Sequence, residues 1–463
     1  MIDPSLSSAS IVQRNLTYLK GKKALYYTLG CKLNFAETST LSGELESLGV
    51  DVASEGEEVD ICIINTCTVT SVADRKARSL IRQVARQHPR ATVLVTGCYA
   101  QLAGEQLIKI PGVSLVVGAG RKSEIVDHLV DYFATPQSAK SQKSLPLFLA
   151  DREHMHHFEG GCSKDDRTRH FLKVQDGCNC ACSYCTIPKA RGRSRNGSIA
   201  SLVDQAKKVV DEGGKEIVLT GVNIGDFGRT TKESLVDLVK ALDKVKGIER
   251  YRISSLEPDL ISDELIEVVA ASEHFMPHWH IPLQSGSDQV LQLMRRQYRT
   301  RLFSDRIERI YKIMPDSFIG LDVIVGMRGE TDELFEESLS YLRNIPFTRL
   351  HIFPYSEREG TDALKIYPIV APAMKRIRAK KMKEVSDQHI ASFMESFCGS
   401  HRPVLWERSN REGYMSGFTD NYIRLIAPYE EDCAERITLA KVGKQVKSEE
   451  YCYADEVQCG ESV

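Results

Sequence analysis

Between residues 22 and 135, short apolar runs alternate with longer segments of helical spacing. KALYYTLGC, VDICIINTC, ATVLVTGC and VSLVVGAG are mostly apolar, as strands covered on both faces must be. NFAETSTLSGELESLG and SVADRKARSLIRQVARQHP instead space their apolar residues as helices do. This alternation predicts a flavodoxin-like parallel α/β domain. The pattern returns from 167 to 395, where HFLKVQD, EIVLTGV, YRISSLE, HWHIPLQ, SFIGLDVIVG and RLHIFPYS are strand candidates. Six β/α units make a partial (β/α)6 barrel of TIM type, open where eight would close. From 400 to 458 the period shortens to RPVLWER, EGYMSGFT, YIRLIAPY and ITLAKVG, broken by SN, TDN and EED, which predicts a small β-barrel. Residues 1–21 read as a polar, flexible leader, and 136–166, containing PQSAKSQKSLP, as a linker. The fold class is multidomain α/β.

At 463 residues the chain exceeds one ordinary core. A formal net charge of −2 excludes a polycation, so nucleic acid would have to meet local basic patches. With no apolar run of about 18 residues and no signal-peptide pattern in MIDPSLSSASIVQRN, a cytoplasmic protein without membrane association is expected. Thirteen cysteines in that setting suggest metal or iron–sulfur ligation rather than a disulfide framework. Cys162, Cys398, Cys433, Cys452 and Cys459 suggest no role. His154, His156 and His157 read as a solvated turn.

The densest chemistry lies in QDGCNCACSYCTIPKARG, residues 175–192. Cys178, Cys182 and Cys185 form a C-x3-C-x2-C run directly after the first strand of the partial barrel. Three thiolates on a [4Fe–4S] cube leave one iron open to chelate a small molecule. A zinc knuckle using Cys180 as a fourth ligand is the alternative, although structural zinc typically takes two separated pairs. Cys31, Cys67 and Cys98 are distant in sequence but share a setting: TLGC, INTC and VTGC each close an apolar strand. In an open parallel sheet those ends face one crevice, and Gly30, Thr66 and Gly97 leave room there for a cluster. Cys62 lies inside its strand and reads as core. Polar residues expected at the barrel's strand ends are Asn223, Glu257, Gln284, Asp322 and Ser356.

Two basic patterns stand near these thiols. Lys189, Arg191, Arg193 and Arg195 alternate, so an extended segment would point them one way; an arginine there could also bind a substrate carboxylate. Arg75, Arg78, Arg82 and Arg86 recur at helical spacing, opposite Ala77, Leu80, Ile81 and Val84. Either could be an RNA face or merely a solvated one. KRIRAKKMK at 375–383 reads as an exposed helix. The segment 402–458 carries more acid than base.

The cysteine run on a partial barrel, with Tyr184 before its last cysteine, resembles the radical S-adenosylmethionine (SAM) superfamily. TLGCKLN, INTCTVT, TGCYAQ and QDGCNCACSYCTIPKARG together resemble the methylthiotransferase family over residues 22–458. GRSRNGS and GMRGET depart from the family pattern, the latter placing the loop at Met327 and Arg328 in question. The resemblance implies a methylthiotransferase domain, a radical SAM domain and a C-terminal TRAM domain. It implies two [4Fe–4S] clusters, one on Cys178, Cys182 and Cys185 that binds SAM, and an auxiliary one on Cys31, Cys67 and Cys98. Tyr184, Asn223, Glu257, Gln284 and Asp322 become candidate SAM contacts. It implies methylthiolation of adenine C2 in a tRNA anticodon loop, with SAM as methyl donor and as source of a 5′-deoxyadenosyl radical. An external electron donor such as flavodoxin or ferredoxin would be needed, and a monomer is expected. Lys32 and Leu33 after Cys31 resemble the N6-threonylcarbamoyladenosine branch. The isopentenyladenosine branch is the alternative, and a non-catalytic iron–sulfur protein that binds RNA or carries electrons is the alternative of another class.

Overall fold

A computed structural model describes residues 16–135, 146–163, 168–408, 410–446 and 449–459. Most of the expected leader and the polar core of the expected linker lie outside the described residues. The chain divides into two compact units. The first comprises residues 1–163 with 177–179 and 186–193; the second comprises 164–176, 180–185 and 194–463.

In the first unit, β1 (Lys23–Thr28), α1 (Lys32–Ser47), β2 (Asp51–Val52), β3 (Ile61–Thr66), α2 (Ser71–Gln87), β4 (Thr92–Gly97), α3 (Cys98–Leu107), β5 (Val113–Gly118) and α4 (Ile125–Ala134) follow in order. The parallel sheet runs β2-β1-β3-β4-β5 and gains a sixth member, β6 (Leu147–Phe148). That strand falls inside the stretch expected as a linker. Residues alternate between the two faces, so Ile61 and Ile63 enter one core with Leu45 and Leu129 while Cys62 and Ile64 enter another with Ala77, Ile81 and Val84. The helix α5 (Ile187–Arg191), just beyond the cysteine loop, also belongs to this unit.

In the second unit, β7 (Arg169–Lys173) precedes a short hairpin, β8 (Gln175–Asp176) with β9 (Arg195–Asn196). The expected strands follow as β10 (Glu216–Thr220), β11 (Arg250–Ile253), β12 (His278–Gln284), β13 (Phe318–Val325) and β14 (Arg349–Pro354), separated by helices. β10 pairs in parallel with β7 and β11, and β13 with β12 and β14. A single parallel bridge, Tyr251 to Phe275, joins the two groups. A long helix, α6 (Pro372–Phe397), leads to a closed barrel of β15 (His401–Trp406), β16 (Tyr414–Thr419), β17 (Arg424–Pro428), β18 (Ile437–Gln445) and β19 (Cys452–Val457). Cys433 and Cys459 form a disulfide there. The basic run at 375–383 is not simply exposed, because Arg378 is buried against Glu330 at 2.6 Å.

Candidate active site

Cys31, Cys67 and Cys98 lie just beyond three adjacent parallel strands, β1, β3 and β4. Cys31 is the N-cap of α1 and Cys98 the first residue of α3, so two of the three cysteines stand at helix amino ends. The preceding glycines make this possible. Gly30 has φ of 106°, and a Cβ on it would stand 2.9 Å from Cys67 Sγ. Gly97 has φ of 101°, and a Cβ there would meet Thr66 O at 2.3 Å. Burial pushes the Cys67 thiol up to about 11, and nearby Cys31 and Cys98 push the same way. Burial also raises Cys98, against the pull of Arg191 and Lys122. Among the described residues their sulfurs are not gathered within 4.8 Å of one another, the spacing of donors sharing one ion; donors at separate corners of a cube stand further apart. Three thiols just beyond the ends of three adjacent parallel strands are a donor set that fits an iron–sulfur cube.

The basic run after the cysteine loop is not an extended face. Pro188 lies in the first turn of α5, which carries Lys189 and Arg191, while Arg195 lies in β9. Arg191 is buried and donates to Cys98 Sγ at 3.0 Å, and Arg195 is buried against Asp176 at 3.1 Å. Lys173 reaches Asp176 as well, at 2.8 Å. Lys189 and Arg193 remain exposed. On α2 the expected face does form: Arg75, Arg82 and Arg86 are exposed, Arg78 half-buried on the Tyr99 hydroxyl, and Ala77, Ile81 and Val84 buried. His156 and His157 are exposed.

In the second unit, Cys182 receives a hydrogen bond from Arg296 Nη1 at 3.2 Å. Its thiol is raised by a hydrogen bond with Cys180 and by burial, with Arg296 opposing both. Arg296 also pairs with Glu257 and donates from Nε to Tyr298 Oη at 3.2 Å. Glu257 thus sits beside Cys182 through an arginine that the sequence did not single out. Asn223 is 2% exposed, its backbone N–H donates to Gln175 Oε1 at 2.8 Å, and its side-chain oxygen has no partner among the described residues. A buried acceptor without a donor is uncommon and suits a ligand that supplies one. Gln284 ends β12 with φ of 65°, a strained conformation for its residue type. Ser356 follows β14.

Two candidates are placed otherwise than expected. Asp322 is not at a strand end but within β13, where its Oδ1 lies 2.7 Å from His280 Nε2 and close to His351. A strand's two-residue period places it with those neighbours on one face. Tyr184 packs against Val290, Met294, Met327, Tyr355 and Ala363, so its ring fills a core. The same cluster explains the departure at GMRGET. Met327 is fully buried there, and Arg328 ties the loop to Glu357 and to Leu364 O.

A parallel barrel with a C-x3-C-x2-C loop after its first strand is the arrangement of a radical SAM enzyme, and residues 172–342 match the Radical SAM superfamily. Residues 23–118 match "Uncharacterized protein family UPF0004". "Threonylcarbamoyladenosine tRNA methylthiotransferase MtaB" of Bacillus subtilis (strain 168) is 36% identical over 425 residues, covering 90% of this chain and 93% of its own length. The protein of the same name from Aquifex aeolicus (strain VF5) is 36% identical over 87% of this chain and 95% of its own. "tRNA-2-methylthio-N(6)-dimethylallyladenosine synthase" of Syntrophus aciditrophicus (strain SB) is 31% identical over 83% and 84%. Among solved structures, the radical SAM methyltransferase TsrM from Kitasatospora setae, with cobalamin and a [4Fe-4S] cluster bound, superposes with a TM-score of 0.52 at 14% identity over 72% of this chain and 75% of that one. This likeness concerns the fold alone. The chain belongs to the radical SAM methylthiotransferase family. It is an enzyme that transfers a sulfur-containing group.

Proposed function

We propose that the protein methylthiolates C2 of N6-threonylcarbamoyladenosine in the anticodon loop of tRNA. The observation that carries this reading is near-full-length identity of 36% to two proteins named for that substrate, against 31% for one named for the dimethylallyl substrate. Cys178, Cys182 and Cys185 hold a SAM-binding [4Fe–4S] cluster, and Cys31, Cys67 and Cys98 an auxiliary one. When bound, these groups supply reductive SAM cleavage and a site for the transferable sulfur. The chain's own residues bind and orient. Arg296 holds Cys182 and Glu257 in place, and the unpartnered Asn223 oxygen is offered to a SAM donor. Gln284 and Asp322 remain candidate SAM contacts, while the packing of Tyr184 supports a structural part. Arg75, Arg82 and Arg86, with Lys189 and Arg193, meet phosphates. An unstacked adenine supplies the specificity.

The closed barrel of residues 401–457 is read as the TRAM domain, an RNA-binding module. The enzyme works as a cytoplasmic monomer served by an external one-electron donor; among the described residues no helix is long and apolar enough to cross a membrane. The test is anaerobic reconstitution followed by dithionite, SAM and matched tRNAs with and without the threonylcarbamoyl group. About eight irons per chain, 5′-deoxyadenosine release and methylthiolation confined to the threonylcarbamoylated tRNA are expected. Modification of isopentenylated tRNA instead would move the protein to the other branch. About four irons with no SAM cleavage would favour a non-catalytic iron–sulfur protein.

A further inference from the structure

The reaction as read above leaves Arg191 without a part. This guanidinium is 2% exposed, and both of its terminal nitrogens are held. Nη1 donates to Glu37 Oε1 at 2.8 Å, while Nη2 donates to Asn34 Oδ1 at 2.7 Å and to Glu37 Oε2 at 3.2 Å. Lys122 also pairs with Glu37 and donates to Asn65 Oδ1 at 3.1 Å. Nε–H is thereby aimed at Cys98 Sγ, 3.0 Å away. Asn34 extends the same network. Its amide donates to Leu29 O at 2.8 Å and Thr66 O at 3.2 Å. Leu29 stands two residues before Cys31, and Thr66 directly before Cys67. One buried network therefore reaches the chain beside all three cysteines. A donor fixed on a ligating sulfur draws charge from the iron and raises the reduction potential of its centre. Arginine suits that task, being charged at every accessible pH and presenting a rigid fork.

We propose that Arg191 is a positioning residue of the Cys31–Cys67–Cys98 centre, orienting the Cys98 sulfur and holding the potential of the cluster bound there above the value the three thiolates alone would set. This rests on the reading that the trio carries a cluster. The test uses the full chain with Cys178, Cys182 and Cys185 all changed to alanine, so that bound iron belongs to the first trio. In that background Arg191, Arg191→Lys and Arg191→Gln are compared after anaerobic reconstitution by iron and sulfide content, electron paramagnetic resonance of the reduced cluster, and potentiometric titration. The expected result is about four irons per chain, with the midpoint potential falling from Arg to Lys to Gln and the resonance spectrum changing alongside. Unchanged potential and spectrum at full iron content overturn the proposal. If the Gln variant fails to hold iron, Glu37→Gln, which frees the fork while keeping the guanidinium, must still shift the potential; an unshifted potential there overturns it as well. Absence of iron from the Arg191 parent is a different failure, since it removes the cluster reading and with it the role assigned to Arg191.

Discussion

Cys62 and Cys67 stand five positions apart, yet physical chemistry assigns them opposite parts. Cys62 points into the core beside Ala77 and Ile81, where burial pushes its thiol up to about 12. Cys67 lies past the strand end, with Gly30 packed against it and two other thiols nearby. On the proposed reading of that trio as a cluster site, Cys67→Ala should remove its iron and leave the fold standing. Cys62→Ala should retain all the iron and lower stability by about 1 kcal/mol; iron analysis and thermal unfolding of both variants separate the cases. The position of Cys31, Cys67 and Cys98 just past three strands was legible because strand ends are written locally. The contacts of Arg191 and Arg296 with sulfur were not, because their partners lie 93 and 114 positions away and only tertiary closure brings them together. Arg296→Met should slow SAM cleavage by at least tenfold, equivalent to about 1.4 kcal/mol. It leaves Glu257 and Cys182 without their shared donor. Production of 5′-deoxyadenosine without tRNA is the measurement.

The longer strands and the helices α1 and α2 were legible from apolar periodicity, whereas α3 and α4 were not singled out. β6 escaped because two residues carry no period, and β19 because CYADEV reads as polar and acidic. The basic alternation at 189–195 misled for a related reason: Pro188 fits the first turn of a helix, so local sterics overrode the two-residue pattern. What holds the C-terminal barrel to the strands of its own unit was equally hidden. Arg250 donates to Phe418 O at 3.0 Å and Pro403 O at 2.8 Å, and Arg252 to Thr419 O at 2.9 Å and Asp420 O at 2.8 Å. Both arginines lean on the fully buried Glu216. Burial works to raise the Glu216 carboxyl, but Arg252, Arg169 and Arg250 outweigh it and leave the pKa below the ordinary value of 4.5. A carboxylate lowered in the folded state stabilises the fold above its unfolded pKa, and that contribution fades as pH falls through the folded value. Denaturant unfolding should accordingly show stability declining below about pH 4.5, with Glu216→Gln flattening the decline. Arg252→Met should cost about 3 kcal/mol at neutral pH, because it strips a buried carboxylate of its nearest partner.

A chain of net charge −2 that acts on a polyanion must concentrate its positive charge. The described residues hold many arginines in internal pairs, among them Arg191, Arg195, Arg252, Arg296 and Arg378. These neutralise buried carboxylates and add little to a long-range field. The exposed stripe on α2 is different in kind. Arg75, Arg82 and Arg86 project from one helix whose opposite face is locked into the core, and α2 begins four residues beyond Cys67. A rigid row of guanidiniums beside the candidate site is suited to phosphate contacts, which supply affinity without reading sequence. Replacing the three arginines with alanine should weaken tRNA binding about equally for cognate and non-cognate tRNA. It should also reduce the slope of log K against log salt by about 2, since each phosphate contact contributes 0.7–0.9. Filter binding across a salt series reads both quantities, and iron analysis of the same preparations shows whether the cysteine centres survive. An unaltered slope with iron intact would mean that this face is merely solvated and that the RNA lies elsewhere.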